Sequence, residues 1–153
     1  MHRKRLTLTL LFVTLLVISC VTIAGEFKPY PGARIDEKAT QEARKMTVES
    51  GMPDIHPSIY TTSDPFEKVY AFYQGMGKEY QMPGRVKGKP KMLPSGQELK
   101  EAYFILDGAG DLMASKLWIK VQRPYIGNIK LEGLNPKYED VRDLTAIVVS
   151  EKK

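Results

Sequence analysis

Apolar and polar positions alternate most cleanly over Lys116–Arg123, where Leu117, Ile119 and Val121 interleave with Lys116, Trp118, Lys120 and Gln122. A period of two sends successive side chains to opposite sides of an extended chain, so this segment predicts a β-strand with one wet face, ended by Pro124. Leu99–Leu106 predicts a second strand, with Ala102, Phe104 and Leu106 on one side and Glu101, Tyr103 and Ile105 on the other. Leu144–Val149 is apolar on both sides and reads as an interior strand. Ile55–Thr62 predicts a shorter one, firmest over Ser58–Thr62.

The helical period appears twice. Phe66, Val69, Tyr70, Tyr73 and Met76 fall on one face of a helix. Asp64, Pro65 and Glu67 ahead of them match an Asp-x-x-Glu capping box with proline at the first helical position. Gly75 and Gly77 end this helix between Gln74 and Tyr80, because each glycine costs about 1 kcal/mol in a helix interior. A weaker helix is predicted over Glu37–Ser50, with Asp36 as N-cap and Gly51 as the stop. Its apolar stripe is thin (Ala39, Ala43, Met46), which suits a helix that covers a surface and adds little core.

Between these elements, Met82–Gly96 holds three prolines and three glycines and reads as a loop. Asp107–Asp111 is a turn, with Asp111 capping a short helical turn through Ala114. Tyr125–Gly133 predicts a weak extended piece and Pro136–Arg142 a short helical one. The expected fold is α+β: an antiparallel sheet of about four strands, covered on one face by one long amphipathic helix and the second, weaker helix.

The opening residues follow a different logic. His2-Arg3-Lys4-Arg5 is a cationic start, Leu6–Ile18 is an uncharged apolar run, and Ser19–Gly25 is small and apolar. That is the build of a secretory signal, so the expected division is a leader or membrane anchor at 1–24 and one domain at 25–153. Two cleavage chemistries fit. Thr22-Ile23-Ala24 suits ordinary signal peptidase, whereas Val17-Ile18-Ser19-Cys20 resembles a lipobox in which Cys20 carries the lipid. An uncleaved anchor fits as well, since Leu6–Ala24 is free of charge and a span needs about 20 residues. All three put the domain in the periplasm, soluble or tethered through its N-terminus.

Charge then changes its meaning. The chain has 23 Lys+Arg against 18 Asp+Glu. Without Arg3, Lys4 and Arg5 the balance falls to 20 against 18, and no nucleic-acid partner is expected outside the cytoplasm. The single cysteine excludes an internal disulfide framework and a Cys-rich zinc site.

Candidate chemistry is sparse. His56 is the one imidazole after the leader, and it has neither a Gly-x-Ser-x-Gly elbow nor a His-Glu-x-x-His partner motif. Asp107 and Asp111, flanking a glycine-rich turn, are the candidates for a small hydrolase or metal-dependent enzyme, although Asp and Gly at a strand end are also ordinary turn chemistry. Arg85, Lys87, Lys89 and Lys91 place four cations in seven residues, suited to anionic lipid, lipopolysaccharide phosphate or an acidic partner, or simply to a solvated loop. Trp118 and Lys120 share one strand face that Tyr125 continues, a stacking surface for sugar or peptide unless a helix covers it. Methionines Met76, Met82 and Met92 lack the spacing of a copper site. No cofactor or metal is expected.

Tyr30-Pro31-Gly32-Ala33, Thr61-Thr62-Ser63-Asp64, Val69-Tyr70-Ala71-Phe72-Tyr73 and the closing Thr145–Val149 together give a pattern that resembles small exported bacterial proteins of unassigned function. The resemblance covers most of residues 30–149, implies a secreted α+β domain and hands over no catalytic residue. The expected role is a non-enzymatic binding or structural module of the cell envelope, with the carboxylate-based enzyme as the alternative.

Overall fold

The computed structural model describes residues 25–85 and 90–153. Cys20 and the leader, and Lys87 and Lys89 of the basic segment, lie outside the described residues. In chain order the elements are β1 (Arg34–Ile35), α1 (Glu37–Glu49), β2 (Ile55–Thr62), α2 (Phe66–Gln74), β3 (Lys78–Tyr80), β4 (Lys91–Met92), β5 (Glu98–Ile105), β6 (Leu117–Arg123), β7 (Tyr125–Glu132), β8 (Asn135–Arg142) and β9 (Thr145–Lys152). The fold is α+β with antiparallel pairing throughout.

The main sheet has seven strands in the order β1-β2-β9-β6-β5-β3, with β4 pairing the opening residues of β5. The expected four strands are its framework: β2, β9, β6 and β5 stand side by side. The additional β1, β3 and β4 are two or three residues each, too short to carry an alternating pattern. β4 also turns part of the expected 82–96 loop into strand. β9, apolar on both sides, lies between β2 and β6 as its pattern predicts.

Pro136–Arg142 is strand, not helix. It forms β8, which pairs with β7 in a separate two-stranded sheet. Gly133, with φ of 65°, opens a two-residue loop that folds the chain back as a hairpin.

The register sorts side chains into two faces. The first carries Tyr60, Ile147, Val149, Val121, Ile119, Ala102 and Phe104, and α2 presses Val69 and Tyr73 into it. Phe66, Tyr70 and Met76, the rest of the predicted stripe, pack around that core. At nine residues α2 is shorter than the thirteen-residue α1, so the helix with the stronger stripe is not the longer one. Gly77 ends this region because a Cβ there would lie 2.7 Å from the Ile105 carbonyl oxygen, and only glycine lets the chain pass so close to β5.

The second face carries Ile59 of β2, Ala146 and Val148 of β9, and a small core where α1 contributes Ala39. The two helices therefore lie on opposite faces, not together on one. Ala39 and Ala43 of α1 pack with Ile59, Ala146 and Val148, so α1 covers the β2–β9 side of this face. Asp36 caps α1 as predicted, accepting the Ala39 N–H at 2.9 Å. The capping box of α2 does not form. Pro65 occupies the cap position without a side-chain bond, while the Asp64 carboxylate accepts the Tyr30 hydroxyl at 2.6 Å.

Candidate functional site

The second face of the sheet can be read row by row from the strand register. One row runs Tyr80, Tyr103, Lys120, Val148 and Ile59, and the next runs Lys78, Ile105, Trp118, Ser150 and Pro57. A third places Glu101 opposite Gln122. On β3 to β6 this face therefore holds aromatic rings and lysines with one carboxylate among them. Tyr80, Tyr103 and Trp118 are half-buried, and none of the three belongs to either core cluster.

Glu101 is the centre of this region. Its side chain is 4% exposed, and three cations converge on it: Lys120 at 2.7 Å, Lys91 at 4.0 Å, and Arg85, which donates a hydrogen bond to the same carboxylate. Burial pushes the Glu101 carboxyl upward, but Lys120 and then Arg85 outweigh it and hold the group below the usual carboxylate range. The cations keep side-chain exposures of 35% (Arg85), 45% (Lys91) and 27% (Lys120). One acid cannot neutralise three bases, so an excess of positive charge faces solvent here. The Lys120 ammonium also sits 5.8 Å from the centre of the Tyr103 ring, within cation–π range. Burial, followed by the nearby Glu101 charge, raises the Tyr103 hydroxyl and keeps it neutral.

Arg85 and Lys91 thus reach the face that carries Lys120 and Trp118. Arg85, Lys91 and Lys120 meet at Glu101, with Trp118 two residues along β6 from Lys120, whereas Tyr125 does not join them. It is 3% exposed and packs with Ala39, Ile59 and Ala146, with the Arg142 guanidinium 3.9 Å over its ring. Immediately after Pro124 the chain enters the hairpin strand β7, so extending the period of β6 mistakes a core residue for a surface one. Glu101, the residue that organises the site, carries no special mark in the sequence. Its signal was available in hindsight: it is the lone acid on the face that β5 shares with Trp118 and Lys120.

The alternative carboxylates are spent on their own turn. Asp107 accepts the Ser115 hydroxyl at 2.9 Å and the backbone N–H of Lys116 and Ala109. Asp111 accepts the Ala114 N–H at 2.9 Å, closing the short turn predicted there. Among the described residues no three His, Cys, Asp or Glu side chains are grouped so as to hold a metal ion. His56 lies in β2 opposite Glu151, and Met92 is 54% exposed on β4.

The three short sequence motifs also converge, and their work is structural. Tyr30 bonds Asp64 and meets Phe72 edge-on with 5.3 Å between ring centres, while the Tyr73 hydroxyl donates to the Lys28 carbonyl at 3.2 Å. They strap the lead-in segment across α2. A separate groove of ≈ 410 Å³ lies between β8 and the β4–β5 turn, lined by Leu93, Pro94, Pro136, Tyr138 and Val141 among others, and gathers none of the sequence candidates. No protein-family model, curated protein or solved structure matches the chain.

Proposed function

We propose that the chain is an exported cell-envelope protein whose domain at 25–153 serves as a non-enzymatic binding module in the periplasm, recognising an anionic envelope component. The observation that carries this reading is the convergence of Arg85, Lys91 and Lys120 on the one buried carboxylate of Glu101. A carboxylate buried to this degree is costly unless cations pair with it. Glu101 fixes three positive groups at the surface and leaves most of their charge available to a ligand. Export rests on the cationic start and apolar run of the leader.

A carboxylate enzyme at Asp107 and Asp111 draws no support from the geometry, because backbone N–H groups of the turn already occupy these acids. The binding reading is tested by cosedimentation of the domain with phosphatidylglycerol vesicles and with lipopolysaccharide, against phosphatidylcholine vesicles, at two salt concentrations. Binding to either anionic surface that weakens with salt supports it, and equal behaviour on the neutral vesicles ends it. For location, a C-terminal reporter active only in the cytosol would remove the envelope from the proposal. Intact mass of membrane-extracted protein separates a diacylated chain starting at Cys20 from one starting at Gly25.

A further inference from the structure

The cations do not stand alone on their face. Lys120 and Trp118 are two residues apart on one side of β6, a spacing of about 6.6–6.8 Å along the strand. Tyr103 lies directly across from Lys120, with Tyr80 next in the same row. Arg85 and Lys91 approach from the β5 side, joined to the row through Glu101. On β6 an aromatic residue and a fixed cation are therefore about one sugar ring's width apart along the strand. A pure anion site has no use for half-buried rings that neither core claims, and a pure stacking site has no use for three cations around a buried acid.

We infer that this face binds an acidic saccharide, its ring stacked on Trp118 and Tyr103 and its carboxylate or phosphate ester held by Lys120, Arg85 and Lys91. The apolar C–H face of a pyranose matches an aromatic ring, and a charged substituent reaches the neighbouring cations. Recognition by both parts makes the two contacts mutually reinforcing: the ring orients the charge, and the charge sets which face of the ring is presented. The inference rests on the anionic-component reading above and narrows it to a chemical class.

Trp118 is the only tryptophan in the chain, so its fluorescence reports directly on the surface. The test titrates the protein with five probes: tetragalacturonate, glucose 1-phosphate, adenosine monophosphate, inorganic phosphate and uncharged maltotetraose. Expected is a change in Trp118 emission with at least one acidic saccharide, at an affinity at least tenfold above that for either inorganic phosphate or maltotetraose. By calorimetry, Arg85→Ala with Lys91→Ala weakens that affinity about tenfold, and Trp118→Phe weakens it less because a ring is retained. Lys120→Met serves as a second charge variant should the double one unfold. Inorganic phosphate binding as tightly as the sugars, with no change in Trp118 emission, overturns the saccharide inference and leaves the anion reading intact. Binding to anionic vesicles without binding to either acidic saccharide does the same, and assigns the site to a lipid headgroup. Adenosine monophosphate binding more tightly than both sugars also overturns it. No binding to any anionic probe or surface overturns the inference and the function it rests on together.

Discussion

The two faces of the sheet are built from the same strands and solve opposite problems. On the first, Val69, Tyr73, Phe104, Ile119, Val121 and Ile147 are each at 0% exposure under α2, a dry core closed further by Phe66, Tyr70 and Met76 at its margin. On the second, α1 seals only the β2–β9 side, and the β5–β6 side keeps Tyr103, Trp118 and Lys120 partly exposed around the buried carboxylate of Glu101. Period-two alternation forces both outcomes from one strand: Ile119 and Lys120 are neighbours in sequence, and one is core while the other holds an ion pair. The larger dry core lies on one side of β6, and the partly exposed charges and rings lie on the other.

That division can be broken most forcefully from the dry side. Phe104→Ala removes a fully buried ring and is expected to cost about 3–5 kcal/mol in urea unfolding, whereas Trp118→Ala on the other face should cost no more than about 1.5 kcal/mol. Comparable losses would mean that Trp118 is core and that no open face exists.

Glu101→Gln probes the wet side. Leaving three cations without their carboxylate should cost about 1–2 kcal/mol, below the figure for a fully buried pair because the cations stay partly in water. The pH dependence sharpens this. Because the Glu101 carboxyl titrates lower in the folded protein, its contribution is fully present above the ordinary glutamate value of about 4.3 and is lost as pH falls through the folded value. Urea midpoints measured from pH 6 to pH 3 should therefore drop less steeply in Glu101→Gln than in the parent. Parallel curves would show that the carboxylate carries no such linkage.

The helices differ in the same sense, at smaller scale. α1, with its thin stripe, depends on its cap. Asp36→Ala removes the bond to the Ala39 N–H and the 3.0 Å contact with Arg142, for an expected loss of about 1–2 kcal/mol. Smallest of all is Glu67→Gln. A working capping box would make it cost about 1 kcal/mol, but Glu67 pairs with Lys100 at the surface, so a change within about 0.5 kcal/mol is expected in thermal unfolding. A larger loss would restore the capping box that the fold has set aside.

What could be read ahead of the fold follows from how local each signal is. The four long strands, the cap at Asp36 and the stripe of α2 depend on neighbours within a few residues, and all are present. The two-residue β1 and β4 exist only because β2 and β5 offer an edge, and no local pattern foretells them. Asp64 does not cap α2 for a related reason: Tyr30, 34 residues earlier, takes its carboxylate. In the candidate site, Arg85, Lys91, Trp118 and Lys120 were visible as charge and ring in the right segments, but their union needed Glu101. That residue looks ordinary until the register of β5 and β6 brings it beside Lys120.

By itself the chain fixed which residues alternate, which face of each long strand is apolar, where α1 starts, and that a charged, ring-bearing side would exist on β6. Only the three-dimensional arrangement decided that the helices take opposite sides, that Tyr125 is buried, and that three cations share one acid. The reason is range. Backbone geometry imposes its periods between adjacent residues, whereas burial and ion pairing depend on which distant segments arrive at the same place.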